Sequence, residues 1–341
     1  MNSFGRLFRV TIFGESHGDS VGVSIDGCPA GLPLSAEDLL PDLERRKGGM
    51  QKGTTPRKED DLPLFKSGLF NGHATGAPMT ILFENNNTRS ADYEKQRAVP
   101  RPGHADFVAH KKFRGFEDYR GGGHFSGRLT VALVAAGAVA KKLLSAAVSA
   151  GSEPGGIAVR AAITEIGGEK DTEKGLQKAI EAKDSVGGIV ECRVSGLPAG
   201  LGEPFFDSVE SVLSHAVFSI PAVRAIEFGT GFAAASMFGS DHNDAIVNDE
   251  GETRTNHAGG VVGGITNGNE LVFRIAIKPT SSTPREQQTL NWESGKIEAF
   301  SVKGRHDLCI ALRVPVVLEA VTAIVLADLM LLERRIVPAA G

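Results

Sequence analysis

The chain has 341 residues, 41% of them hydrophobic, which is enough for a substantial core and argues against a disordered polymer. Its formal net charge of −4 argues against nucleic acid as the main partner, which would favour a strong basic excess. Cys28, Cys192 and Cys309 lie far apart with no CxxC pair, so they read as reduced thiols of a cytoplasmic protein and not as a metal site.

In chain order, the opening "MNSFGRLFRVTIFGESHG" has no uninterrupted apolar segment of the kind a signal peptide needs. "LFRVTIF" reads as a strand, and "SVGVSIDG" as a second strand with period-two alternation. Leu39, Leu40 and Leu43 have helical spacing, as do Val209, Val212, Leu213 and Ala216 further on. Two apolar stretches, Leu129–Val139 and Val314–Leu332, predict long buried helices. The first is too short to span a bilayer and the second carries Glu319 and Asp328, so no membrane partner is expected.

A duplication runs through this order. "ESHGDSVGVSIDGCPAGL" (15–32) aligns without a gap on "DSVGGIVECRVSGLPAGL" (184–201), Pro29 on Pro198. "GLFNGHATGAPMTILFE" is loosely similar to "GITNGNELVFRIAIK", and "GRLTVALVAAGAVAKKLL" to "LRVPVVLEAVTAIVLADLML". The reading is a single 1–341 domain of two similar halves, 1–150 and 170–335. The halves differ where the first has His17 and the second Val186. An ionisable imidazole there suggests that the first half carries the chemistry.

Several strings carry polar chemistry. "GESHG" (14–18) matches the G-x-S-x-G elbow of hydrolases, but an elbow needs a helix after the turn, and here a strand follows. In "RPGHAD", Pro102 restricts Arg101 and Gly103 permits a turn, so the loop presents Arg101, His104 and Asp106. "YRGGGHFSGR" (119–128) runs into a predicted helix. Its glycines and Arg120, His124, Ser126 and Arg128 suit an anion, although no Gly-Lys-Ser/Thr closes a P-loop. "KPTSS" (278–282), "GRHD" (304–307) and the basic run 44–58 add further donors. Each could serve as an ordinary polar turn. Together, in an acidic chain, they imply a positive pocket for a small polyanion, with His17, His104 and His124 able to move protons near neutral pH.

"FGESHG", "RPGHAD", "YRGGG", "LPAGLGEP", "NHAGG", "GGITNG", "KPTSS" and "GRHD" stand in the order seen in the chorismate synthase family, which the chain resembles along essentially its whole length. The resemblance implies an α+β fold, a β-α-β sandwich of antiparallel sheets around long apolar helices, assembled as a homotetramer. It implies a lyase of the shikimate pathway that eliminates phosphate from 5-enolpyruvylshikimate 3-phosphate to give chorismate. Reduced FMN would be required without net redox change. By the same resemblance, His104 assists the departing phosphate, His17 protonates reduced flavin, and Asp328 helps remove the ring proton. Ser16 and Ser126 would lie beside substrate or flavin. His124, Phe125, Ser126, Pro221, Ala222, Gly263, Lys278, Pro279, Thr280, Ser281, Ser282 and Arg305 would bind FMN. Arg46 and Lys52 would meet NADPH, were it the flavin reductant. The chain departs from many members in having His124-Phe125-Ser126 after the glycines, Lys52 in place of arginine and Leu308 in place of proline. The glycine run itself is expected to lie against the flavin.

Overall fold

The computed structural model describes all residues except 50–51, 56–58, 87–96, 147–155, 303–305, 335 and 337–341. Two antiparallel sheets enclose two long helices. In the first sheet the strands run in the order Ser3–Phe4, Arg9–Gly14, Ser20–Asp26, Met79–Glu84, Leu64–Ser67. In the second the order is Ala158–Ile166, Gly188–Ser195, Leu271–Ile277, Val223–Phe228. Leaving aside the short Ser3–Phe4 strand, both sheets place their strands in the same sequence of first, second, fourth, third.

The inward-facing residues show why these segments form half-buried strands. Val21, Val23 and Ile25 alternate along one strand and pair across to Phe83, Ile81 and Met79; none of the six is exposed. In the second sheet Val190, Cys192 and Val194 pair with Ile275, Phe273 and Leu271, again buried. Fully burying one such side chain contributes about 1.5–3 kcal/mol. Burial also pushes the thiols of Cys28 and Cys192 up to about 11 and about 12, which leaves them inert.

Helix Thr130–Ala146 packs on the first sheet and helix Val314–Leu332 on the second, and the two helices pack on each other. Gly137 marks their closest approach, since a Cβ there would overlap the Ala320 backbone. Counted with the turns that precede them, the helical stretches Gly127–Ala146 and Ile310–Leu332 are long and apolar enough to cross a bilayer, the first longer than its apolar run predicts, yet most of each is buried inside the protein, as expected of core helices. Pro315 fits the first turn of the second helix, where no backbone donor is needed.

One charged cluster interrupts this apolar layer. Buried Glu319 accepts from Arg45 (2.7 and 2.8 Å), Lys141 (2.6 Å) and the Ala161 N–H (3.0 Å). Burial alone would raise its carboxyl, but the two cations hold it below the usual range. It joins both core helices to the helix Leu40–Arg46 and to the second sheet.

Candidate active site

A cavity of about 720 Å³ opens between the N-terminal strands, the loops before each core helix and the helix Val209–Val217. Six Lys or Arg residues line it against three Asp or Glu, together with five histidines. Its floor is apolar, with Phe4, Ile12, Leu133, Val321 and Ile324. A net-negative chain has gathered a positive hollow with a greasy base.

The Gly14–Gly18 turn connects strands Arg9–Gly14 and Ser20–Asp26, which pair antiparallel. This is strand–turn–strand, so the hydrolase-elbow geometry is absent. Ser16 is fully buried, and its Oγ has no hydrogen-bond partner among the described residues. His17 is 7% exposed and does reach the cavity wall.

The three glycines of "YRGGG" all adopt positive φ (59°, 82° and 51°). What presses on them is protein. A Cβ on Gly121 would overlap the His17 imidazole, one on Gly122 would lie 3.0 Å from His104 Cε1, and one on Gly123 would overlap the Asp118 carbonyl. The run is therefore a fixed bed on which two imidazoles from separate loops lie side by side. Protein fills the side of each glycine where a Cβ would point, and Gly121 also lines the cavity.

His104 is oriented from behind. Its Nδ1 is 2.5 Å from Asp106 Oδ1, which leaves Nε2 as the nitrogen free to face a ligand; this tautomer follows from the hydrogen-bond pattern. Arg101 grips the same carboxylate through Nε (2.7 Å) and a terminal nitrogen (2.8 Å). Burial works to raise the Asp106 carboxyl, yet the bonds from Arg101 and His104 hold it well below the ordinary range. The "KPTSS" loop closes over this group. Ser281 Oγ donates to the Gly103 carbonyl (2.8 Å), Lys278 Nζ to Ser281 Oγ (2.7 Å), and Arg101 to Ser282 Oγ (3.3 Å). Burial, with Arg224 nearby, lowers the Lys278 ammonium.

The expected residues sort clearly. His17, His104, His124, Phe125, Ser126, Pro221, Ala222, Arg46 and Lys278 through Ser282 line the cavity. His124 is held by the Gly14 carbonyl (2.8 Å) and Asn2 Oδ1 (3.1 Å), while Ser126 caps the following turn by accepting from the Arg128 N–H. Gly263, Lys52 and Arg120 are not in the wall. Lys52 donates to Gln177 (3.3 Å) and Arg120 to Asp118 (2.8 Å). Arg305 lies outside the described residues. Asp328 is elsewhere: both its oxygens accept backbone N–H groups of Arg6, Leu7 and Phe8 at 2.7–3.0 Å, pinning the N-terminal loop to the last helix. The carboxylate that faces the cavity from the same end of the chain is Asp307, held by the Thr55 N–H (2.8 Å) and Arg313 (3.3 Å).

Two residues had no signal in the sequence. Asp61, in the wall and 3% exposed, bonds Arg46 at 2.5 Å and also pairs with Arg128. Burial would raise its carboxyl, but the two guanidiniums hold it low. Asn85 joins Arg128 to the His17 turn. Three residues of the wall each keep a buried polar atom without a protein partner among the described residues: Arg46 Nε, Thr280 Oγ1 and His306 Nε2. Phosphate and carboxylate groups fit the cationic and hydroxyl side chains of the wall, and a planar apolar ring fits the floor.

Fold and site together define an α+β enzyme with a positively lined cavity into which several histidines project. Residues 8–331 match the family model described as chorismate synthase. The chain is 72% identical over 335 residues to a chorismate synthase of Chitinophaga pinensis, covering 98% of each chain. It is 42% identical to one of Methanocaldococcus jannaschii, covering 97% of this chain and 96% of that one. A solved structure titled "Crystal Structure of Chorismate Synthase" superposes with a TM-score of 0.73 at 27% identity, over 97% of this chain and 93% of that one. The chain belongs to the chorismate synthase family. It is a lyase that eliminates phosphate from 5-enolpyruvylshikimate 3-phosphate to form chorismate.

Proposed function

We propose that substrate and reduced FMN bind together in the 720 Å³ cavity, and that the chain's own histidines carry the protons. The observation behind this is the placing of His17 and His104 against consecutive glycines, within a wall of six Lys or Arg residues. The donor set fits the group: Lys278 through Ser282 would hold a phosphate, and Ile12, Leu133 and Val321 would lie under a flat ring. When bound, reduced FMN supplies electron density to the allylic system as the carbon–oxygen bond breaks.

His104 does its work at the leaving group. Phosphate departs poorly as a full anion, so a proton delivered from Nε2 of a ring that carries protons on both nitrogens, with Arg101 and Lys278 beside it, lowers the barrier. Asp106 fixes the ring so that Nε2 is the atom presented. His17 stands at the second proton-handling position, held rigid by Gly121. Among the carboxylates, Asp307 lines the cavity and is the one we assign to the reacting ring, while Asp328 accepts backbone N–H groups of the N-terminal loop. The apolar floor excludes water.

Arg46 is locked into Asp61, while Lys52 sits outside the wall. With Arg46 already paired, we place the source of reducing equivalents outside this chain, with no NADPH turnover by the purified protein. We also propose a cytoplasmic homotetramer of single-domain chains, each a duplicated unit of residues 1–150 and 170–335. The matching strand orders support the duplication. Exposed Phe205, Phe206, Phe232 and Phe238 in the second half support assembly.

The deciding experiment is anaerobic. Purified protein with substrate and chemically reduced FMN should release phosphate, and oxidised FMN should not substitute. Release at the same rate without flavin would overturn the cofactor reading. Steady NADPH oxidation with catalytic FMN and no added reductase would overturn the external source of electrons.

A further inference from the structure

Asn85 follows directly on the strand Met79–Glu84 and forms no part of the cavity wall. Its backbone N–H donates to the Asp19 carbonyl at 3.1 Å. Its side-chain nitrogen donates to the carbonyls of Glu15 (3.1 Å) and Gly18 (2.8 Å), the two residues that bracket Ser16 and His17. Its Oδ1 accepts from Arg128 Nε at 2.9 Å. The orientation of this amide is forced by chemistry. A guanidinium only donates and a peptide carbonyl only accepts, so a flipped amide would lose all three side-chain bonds.

Arg128 is itself immobile. It is buried, pairs with Asp61 and donates to the Glu84 carbonyl at 3.2 Å. A chain of fixed groups thus runs from Asp61 through Arg128 and Asn85 to the turn that carries His17. On its other side the turn is tied by the Ser16 N–H, which donates to the Gly123 carbonyl at 3.1 Å. Asn85 and the glycine bed hold the turn from opposite directions.

We propose that Asn85 is a positioning residue for His17: it transmits the rigidity of the buried Asp61–Arg128 pair to the 15–18 turn and so fixes the imidazole over Gly121. This rests on the reading of His17 as a proton-handling group. It adds a residue whose whole effect on catalysis passes through that histidine.

Two substitutions separate this role from a simpler one. Asn85→Asp keeps an acceptor for Arg128 but turns an oxygen toward the two carbonyls it must hold. Asn85→Ala removes both functions. If Asn85 served only to seat Arg128, the Asp variant would behave as wild type. As a positioning residue, both variants should lose about 100-fold in kcat, the scale of a misplacement near 1 Å, with the substrate KM unchanged. The His17 ring resonance, identified with His17→Gln in protein labelled with 13C-histidine, should move in both. The Asp variant should melt below wild type but above the Ala variant, because its bond to Arg128 persists. Wild-type kcat and an unmoved His17 resonance in Asn85→Asp, beside an impaired His17→Ala, would overturn the proposal and leave the reading of His17 standing. Wild-type turnover of His17→Ala would remove that reading instead. The resonance alone would then decide whether Asn85 positions the ring, a shift supporting it and no shift overturning it.

Discussion

The turns at 15–18 and 184–187 occupy matching places in the two sheets, yet they do different work. The first holds buried Ser16 and presents His17 to the cavity. The second has Val186, half-buried, with its N–H on the Leu308 carbonyl (3.0 Å). Around it, Ser185 Oγ donates to the Thr280 carbonyl (2.7 Å), and Asp184 accepts from Thr283 Oγ1 (2.8 Å). One copy of the turn presents an imidazole to the cavity; the other braces the 278–282 loop. On the function proposed above, the same backbone solution would serve chemistry in one half and binding in the other.

The contrast breaks most sharply at Gly121. Gly121→Ala pushes a methyl into the His17 ring and also strains a backbone at φ 59°. We expect a loss of at least about 100-fold in kcat, with circular dichroism unchanged. Wild-type turnover would show that His17 need not lie on the glycine bed. In the second half the corresponding damage should fall on binding. Asp184→Ala frees Thr283 and the loop before it, and should weaken reduced-FMN binding about tenfold while leaving kcat at saturation close to normal. Anaerobic titration of flavin fluorescence gives the affinity, and a kcat loss without a binding loss would contradict the division of labour.

Stability should follow pH with a smaller effect shared by both halves. Asp61 and Asp106 in the first half, and Glu319 in the helix of the second, all have carboxyls held below their ordinary values in the folded protein. Such groups add stability that is complete above their unfolded values, about 4, and is lost as pH falls through the folded ones. His306 is held low by burial, with Arg101 adding to the effect, so it subtracts stability as pH drops below about 6.5, in the same direction. The melting temperature should therefore decline gently below neutrality and steeply below about pH 4. A melting temperature that rose on acidification would contradict these assignments.

Much of this was legible in the sequence, for reasons that can be named. The strands "LFRVTIF" and "SVGVSIDG" announce themselves by alternation, and the core helices by unbroken apolar runs. The loop strings gave His17, His104 and Lys278 because proline, glycine and polar residues crowd there. What sequence did not give depends on contacts between distant segments. Asp61 meets Arg128 across 67 positions, and Asn85 meets Gly18 across the same span. Neither sits in a patterned string. Asp328 stands in the last helix where the family resemblance puts a proton-handling acid, and its partners are three backbone amides that no spacing rule reveals. Arg46 looked like part of a solvated basic loop until Asp61 supplied its counter-charge.

The central claim is that His104, aimed by Asp106 and seated on Gly122, delivers the proton to the departing phosphate. Single-turnover phosphate release by His104→Ala, with reduced FMN and substrate under anaerobic conditions, tests it most directly. The account predicts release about 10²–10⁴-fold slower than wild type with flavin binding intact. Release at the wild-type rate would contradict it.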